Sequence, residues 1–439
     1  MVSASNSKNS RYGFLLAMAA CCVSALSGCG LRDAPEMETP AGTPQVIVGE
    51  TIAPTAAPEA EGTVPEETAP EEAALEETAP AEIFEAGREE SLEMALQEAE
   101  IDKEAETVKE SETAEEPAET GITITISAAG DCSLGNYLGQ EYEWSFDQTY
   151  AQVQDAGYFL QNVFDIFSTD DMTIVNLEGV LTSSDQPAEG RTYNIKGDPS
   201  YVEILKLGSV EAVSMGNNHR QDFGAEGTED TVAALQDAGI VYAYDQYVGI
   251  YEVKGLRIGF VSVNETTWGK DSERFLKDGF AKLREQEADL IIACCHWGVE
   301  GDAYPEEYQQ TLGRLCIDWG ADLVLGCHPH VLQGIEEYQG KFIVYSLANF
   351  CFGANRNPSN KDTMIFQQTF TFIDGEKQED QNIRVIPCFV SSVTTRNDYR
   401  PTPQEGEAAS RIIEKLNDYS GVYGVTFAED GTLVRPESE

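Results

Sequence analysis

From about residue 121 onward, short apolar runs alternate with helix-like patterns. Residues 122–129, Ile-Thr-Ile-Thr-Ile-Ser-Ala-Ala, change between apolar and polar with period two, as a half-buried strand does. Further strands are predicted at 172–175, 212–215, 247–253, 256–263, 290–295, 323–326, 334–338, 341–346, 365–373 and 383–393. Two pairs of these read as hairpins, turning at Lys254-Gly255 and Gln339-Gly340. Helical patterns fall at 158–167, 228–238, 272–287, 305–319 and 406–418. Another helix opens at Asp198, an N-cap followed by Pro199, and stops at Gly208. Strands that alternate with helices and then give way to a strand-rich section predict a layered α/β fold, with mixed β-sheets flanked by helices.

In such folds ligands bind beyond the carboxyl ends of the strands. The chemistry-bearing residues of this chain gather there. Asp131 follows the first strand and Glu178 the second; Asn218 and His219 follow the third. His296 follows 290–295, and His328 and His330 follow 323–326. These are all four histidines in the chain, which scattered structural histidines would not produce. Alone, a Gly-Asp or Asn-His is usually a turn, and a lone His usually satisfies a hydrogen bond. Together, two carboxylates, an amide oxygen and three or four imidazoles suit two divalent ions sharing a bridging carboxylate. Such paired ions clamp a phosphoryl group and make hydroxide available near neutral pH.

The first 120 residues are different material. Lys8 and Arg11 precede an apolar stretch, 14–26, that is short for a membrane span. It ends in Leu26-Ser27-Gly28-Cys29, which resembles a bacterial lipobox. The expectation is a signal segment over 1–29, cleaved before Cys29, whose thiol carries lipid; the alternatives are an ordinary signal peptide with Cys29 a bystander and an uncleaved anchor helix. That puts the remainder on the extracytoplasmic face of the membrane. Residues 30–120 are rich in Ala, Pro, Thr and Glu, with 27 acidic against 4 basic residues, so they read as a disordered, self-repelling spacer. Residues 121–439 then suffice for one large domain. Its 50 acidic against 22 basic residues argue against a nucleic-acid partner. The seven cysteines after Cys29 follow no disulfide framework and read mostly as core thiols.

Six stretches occur in order: Gly130-Asp131, Asn176-Leu177-Glu178-Gly179, Gly216-Asn217-Asn218-His219, His296-Trp297-Gly298-Val299-Glu300, Gly326-Cys327-His328-Pro329-His330-Val331-Leu332-Gln333 and Tyr345-Ser346-Leu347-Ala348-Asn349-Phe350. This order resembles the CapA family of capsule and poly-gamma-glutamate synthesis, itself similar to calcineurin-like metallophosphoesterases. The resemblance implies that Asp131 and His330 bind a first metal and that Glu178 bridges. Asn218, His296 and His328 would bind a second, as Mn, Fe or Zn. It implies that His219 works beside the substrate on an oxygen or a leaving group. Glu300 and Asp222 are candidates for orienting ligands. Arg191 and Lys196 are candidates for holding a substrate anion or for solvated loop charges. Ser133 stands where phosphoesterases commonly place a ligating His, which weakens the first site. Ala348 stands where the family usually has Gly.

The implied function is a metal-dependent hydrolase acting on a phosphoester or related anionic cell-surface substrate. The alternative is a non-catalytic component of a membrane-bound polymer-synthesis or export complex, binding an anionic polymer through the same cleft.

Overall fold

The computed structural model describes residues 47–48, 121–140, 142–379 and 382–435. Cys29, the signal segment and, apart from Ile47–Val48, the spacer lie outside the described residues. Those two residues depart from the expected spacer, pairing antiparallel with Gly249–Val253 at a sheet edge. Among the described residues no helix is long and apolar enough to cross a membrane.

Two mixed sheets stack face to face. In the first, Gly121–Ser133, Met172–Leu177, Ala212–Ser214 and Val241–Ala243 run parallel. Asp362–Ile373 and Asn382–Phe389 extend it antiparallel on the other side. In the second, Leu256–Asn264, Leu290–His296, Leu323–Cys327 and Lys341–Val344 run parallel. Gly249–Val253 and Ile335–Tyr338 flank them antiparallel. The period-two reading is visible in the packing. Ile124, Ile126 and Ala128 meet Leu290, Ile292 and Cys294 in the core between the sheets. Ile291, Ala293 and Cys295 face the other way, onto Phe280 and Leu283 of helix Ser272–Glu285 and Cys316 of helix Glu307–Asp318. The outer face of the first sheet is covered likewise, by Phe146, Ile204, Leu205 and Leu235 from three helices. Truncating a fully buried core residue such as Ile292 to Ala is expected to cost about 2–5 kcal/mol.

Helix Gly406–Ser420 closes one end of the inter-sheet core with Ile412, Ile413 and Leu416. It is stapled there by Asp362, which takes both Arg411 guanidinium nitrogens at 2.6 Å and the Lys415 ammonium. These contacts outweigh burial and hold the Asp362 carboxyl below its ordinary value.

The structure corrects two local expectations. Residues 158–167 form no continuous helix but a 3-10 turn, Ala156–Tyr158, and a short helix, Phe164–Phe167. Phe159, Leu160 and Val163 are all sunk in the core, and that packing prevails over helical continuity. The stretch before them, expected to be loop, holds helix Phe146–Val153. Ser145 caps it by accepting from Gln148 N at 3.4 Å.

Candidate metal centre

Both sheets bring the carboxyl ends of their parallel strands to one mouth. Asp131 reaches it through a register shift after Ala129. Only glycine fits at 130, because a Cβ would lie 1.8 Å from the Ala348 carbonyl oxygen, which accepts the Asp131 N–H at 2.9 Å. Glu178 sits one residue beyond strand Met172–Leu177, its N–H on Cys132 O at 2.9 Å. His296 ends its own strand, opposite Asn264 on one side and Cys327 on the other. His328 and His330 follow in left-handed backbone, φ 96° and 58°, as does Ala348 at 64°. Glycine adopts that region freely, so Ala348 carries strain of roughly 1–2 kcal/mol. Strain of this kind concentrates at functional sites.

The side chains converge on Glu178. Its Oε1 lies 3.9 Å from His219 Nε2, 3.9 Å from His296 Nε2 and 3.8 Å from His330 Nε2. Glu178 is fully buried, and neither carboxylate oxygen has a hydrogen-bond partner among the described residues. The same holds for His328 Nδ1. Three overlapping groups bring their ligand atoms within 4.8 Å of one another: Glu178 with His296 and His328; Asp131 with Glu178 and His330; Glu300 with His328 and His330. A buried, unpartnered carboxylate is costly unless a cation compensates it. Oxygen and nitrogen donors 3.8–3.9 Å apart need only a small inward shift to share an ion with bonds of about 2.0–2.2 Å. The residues therefore fit divalent metal.

The electrostatics divide the ring. Burial and the neighbouring Asp131 carboxylate push Glu178 well above the usual carboxylate range. Burial opposes ionisation of Asp131, yet His330, 3.0 Å away, and the Asn176 amide at 2.7 Å hold it below its ordinary value. Burial likewise opposes charge on His330, but Glu178 and Asp131 outweigh it and push its pKa up to about 10. His296 is pushed well below the ordinary imidazole value by burial, then by the neighbouring imidazoles. Burial and His330 lower His328 to about 4. At neutral pH His296 and His328 are thus neutral, with lone pairs available.

Each residue expected at the site can be placed. Asn218 Oδ1 lies 2.8 Å from His296 Nε2. His219 puts Nδ1 2.7 Å from Asp222 Oδ2 and turns Nε2 toward Glu178. Asp222 is fully buried and is itself held by Arg191 at 3.0 Å and the Ile195 N–H at 2.6 Å. Arg191 also donates to Asn218 O at 2.5 Å, and Lys196 is tied to Ser184 O and Asp185. Both cations named for a substrate anion thus already hold partners within the chain. Glu300 is exposed at the rim, near enough to His328 and His330 to act as a donor itself. Ser133 is fully buried and its hydroxyl has no partner among the described residues. Burial pushes the Cys327 and Cys351 thiols far up, and all seven described cysteines are free and buried.

Three asparagines inside the quoted motifs carry weight that spacing did not assign. Asn176 donates to Asp131 Oδ1 at 2.7 Å and lies 3.3 Å from His296 Nδ1, linking the two sheets beneath the ring. Asn217 ties Leu177 O at 2.7 Å to the His219 N–H at 3.1 Å. Asn349 Oδ1 lies 2.9 Å from His330 Nδ1. Their place inside the quoted motifs was the only available signal.

Stacked mixed sheets, helical outer layers and a carboxylate–imidazole ring at the strand ends define a layered α/β protein with a candidate metal centre. Within that class the chain belongs to the bacterial capsule synthesis protein PGA_cap family, whose model matches residues 125–354, more than half of the sequence. It is 29% identical over 251 residues to the PGA biosynthesis protein CapA of Bacillus subtilis (strain 168), a match covering 52% of this chain and 63% of that protein. It is 26% identical over 256 residues to the capsule biosynthesis protein CapA of Bacillus anthracis, covering 52% and 60%. The match thus spans less than two thirds of either relative. A hypothetical protein from Thermus thermophilus superposes with TM-score 0.37 at 16% identity, over 60% of this chain and 98% of that one.

Proposed function

We propose that this chain is a metal-dependent hydrolase of capsule or poly-gamma-glutamate synthesis, acting on a phosphoester or related anionic cell-surface substrate. The observation that carries it is the buried Glu178 carboxylate, unpartnered and ringed by three imidazole nitrogens. Asp131, Glu178 and His330 would hold one ion, and Glu178, Asn218, His296 and His328 the other. When bound, such ions supply Lewis-acid stabilisation of a developing negative charge and activate water. The chain's own residues do the rest. Asp222 accepts the Nδ1 proton of His219 and fixes the ring, so Nε2 faces the mouth and can pass a proton to a leaving oxygen. Arg191 holds Asp222 in turn, and Asn217 fixes the backbone of His219.

Assay of the purified chain with Mn²⁺, Zn²⁺ or Fe²⁺ on a phosphoester panel tests this. Activity should appear with metal and disappear in the Asn218→Ala, His296→Ala double variant. Equal turnover in both would rule the mechanism out.

A second reading, non-catalytic binding of an anionic polymer within a membrane-bound synthesis complex, is favoured by one observation. Ser133 gives the Asp131 side no imidazole, and His330 there is already paired with Asp131. Full rescue of a deletion strain by the double variant would select it. Lipid anchoring at Cys29 on the outer face of the membrane belongs to the same proposal. It predicts that labelled fatty acid is incorporated into the wild-type protein and not into the Cys29→Ala variant.

A further inference from the structure

A cleft of about 930 Å³ is lined by His330, Asn349 and Glu300 at the metal centre and also by Tyr142, Arg356 and Asn360. Neither Arg191 nor Lys196 lines this space, and both already hold carboxylates of the chain. Arg356 does. Its guanidinium carbon lies 5.3 Å from the centroid of the Tyr142 ring and 4.9 Å from that of Trp144. Among the described residues it makes no side-chain hydrogen bond and no ion pair, and it is exposed to the cleft. A guanidinium drawn to two aromatic rings by cation–π attraction is positioned while its N–H groups stay free for bidentate oxyanion binding.

The scaffold around it is rigid. Asn397 donates through Nδ2 to Phe352 O at 2.8 Å and Asn355 O at 2.9 Å, and through its N–H to Arg356 O at 2.9 Å. Tyr399 donates to Trp144 O at 2.9 Å and lies 3.2 Å, hydroxyl to hydroxyl, from Tyr142. One short segment, 397–399, thus braces both the loop bearing Arg356 and the pair of rings beside it. Ordering such a group in advance removes entropy that binding would otherwise cost. The chain's net charge is −49, so an anion reaching this cleft gains nothing from the overall field and needs a local cation. Arg356 also lies beyond the family match, which ends at residue 354.

We propose that Arg356 is a second anion-binding site. The substrate then carries at least two oxyacid groups, one seated at the Glu178 ring and another on Arg356. This rests on the reading of that ring as a metal centre. Carboxylate and phosphate share the required chemistry.

The test measures binding of three probes to the full chain with Mn²⁺: orthophosphate, tripolyphosphate and tri-γ-glutamate. Arg356→Gln should weaken one chain probe about tenfold relative to orthophosphate, and Arg356→Lys should weaken it less. The chain probe that responds identifies phosphate or carboxylate as the second group. Unchanged thermal unfolding of both variants shows that the exposed position is not structural. Equal loss for all three probes, no loss for any, or no wild-type preference for a chain over orthophosphate overturns the proposal. Failure of the metal reading looks different: orthophosphate would not bind the wild type with Mn²⁺, while chain binding would still depend on Arg356.

Discussion

The two halves of the carboxylate–imidazole ring differ in how their charges are settled before any cation arrives. On one side His296 and His328 are neutral, His328 Nδ1 is unpartnered among the described residues, and Asn218 faces His296 at 2.8 Å. On the other, Asp131 and His330 have closed on each other at 3.0 Å, and Ser133 contributes only a buried hydroxyl. The first half is uncharged, its members tied to one another by the Asn218–His296 hydrogen bond alone. The second is an ion pair that a cation must displace. Ligand number alone therefore does not rank the two, because a proton already in place competes with metal.

The contrast can be broken most severely on the open side. Asn218→Ala with His296→Ala should weaken Mn²⁺ binding by at least about 100-fold, beyond the 10–100-fold usual for outer partners alone. Calorimetric titration reads this directly. Asn176→Ala should come next, with about a tenfold loss, since the amide supports Asp131 and His296 together. If that variant bound metal like wild type, the two halves would not be coupled through Asn176.

The closed side should show itself through pH. The folded pKa of His330, about 10, lies above its unfolded value of 6.5. The stability it gives the metal-free protein is complete below about pH 6.5 and is lost as pH rises through about 10. Glu178, held above 4.5, has the same sign, because its favoured neutral form disappears as pH rises. Chelator-treated protein should lose several degrees of Tm between pH 7 and 10. Added Mn²⁺ should flatten that loss, and a Tm rising over this range would contradict the charge assignment. The smallest effect is expected from Ser133→Ala. Removing an unpartnered buried hydroxyl should change stability by no more than about 1 kcal/mol and leave Mn²⁺ affinity within about twofold.

Much of this was legible along the chain, for physical reasons. Continuous apolar runs located the central strands because each has two buried faces with different partners, as Ile292 and Ile291 show. Strand ends then located the ring, since all the histidines follow apolar runs. What stayed hidden depends on residues distant in sequence. Nothing near Asn176 indicates that it touches both Asp131 and His296, 45 and 120 positions away. Arg356 becomes a cleft residue only because 397–399 folds back over its loop. Helix Phe146–Val153 was within reach: Ser145 is a good cap, and Phe146, Tyr150 and Val153 keep helical spacing. Arg191 was read for its charge, and its actual partner, Asp222, lies 31 residues on.

The metal content of the purified full chain is the most direct test of the centre. Elemental analysis after equilibration with Mn²⁺, Zn²⁺ or Fe²⁺ should find at least one tightly held ion per chain, and none in the Asn218→Ala, His296→Ala variant. A folded wild-type chain that retains no divalent ion under these conditions would contradict the account.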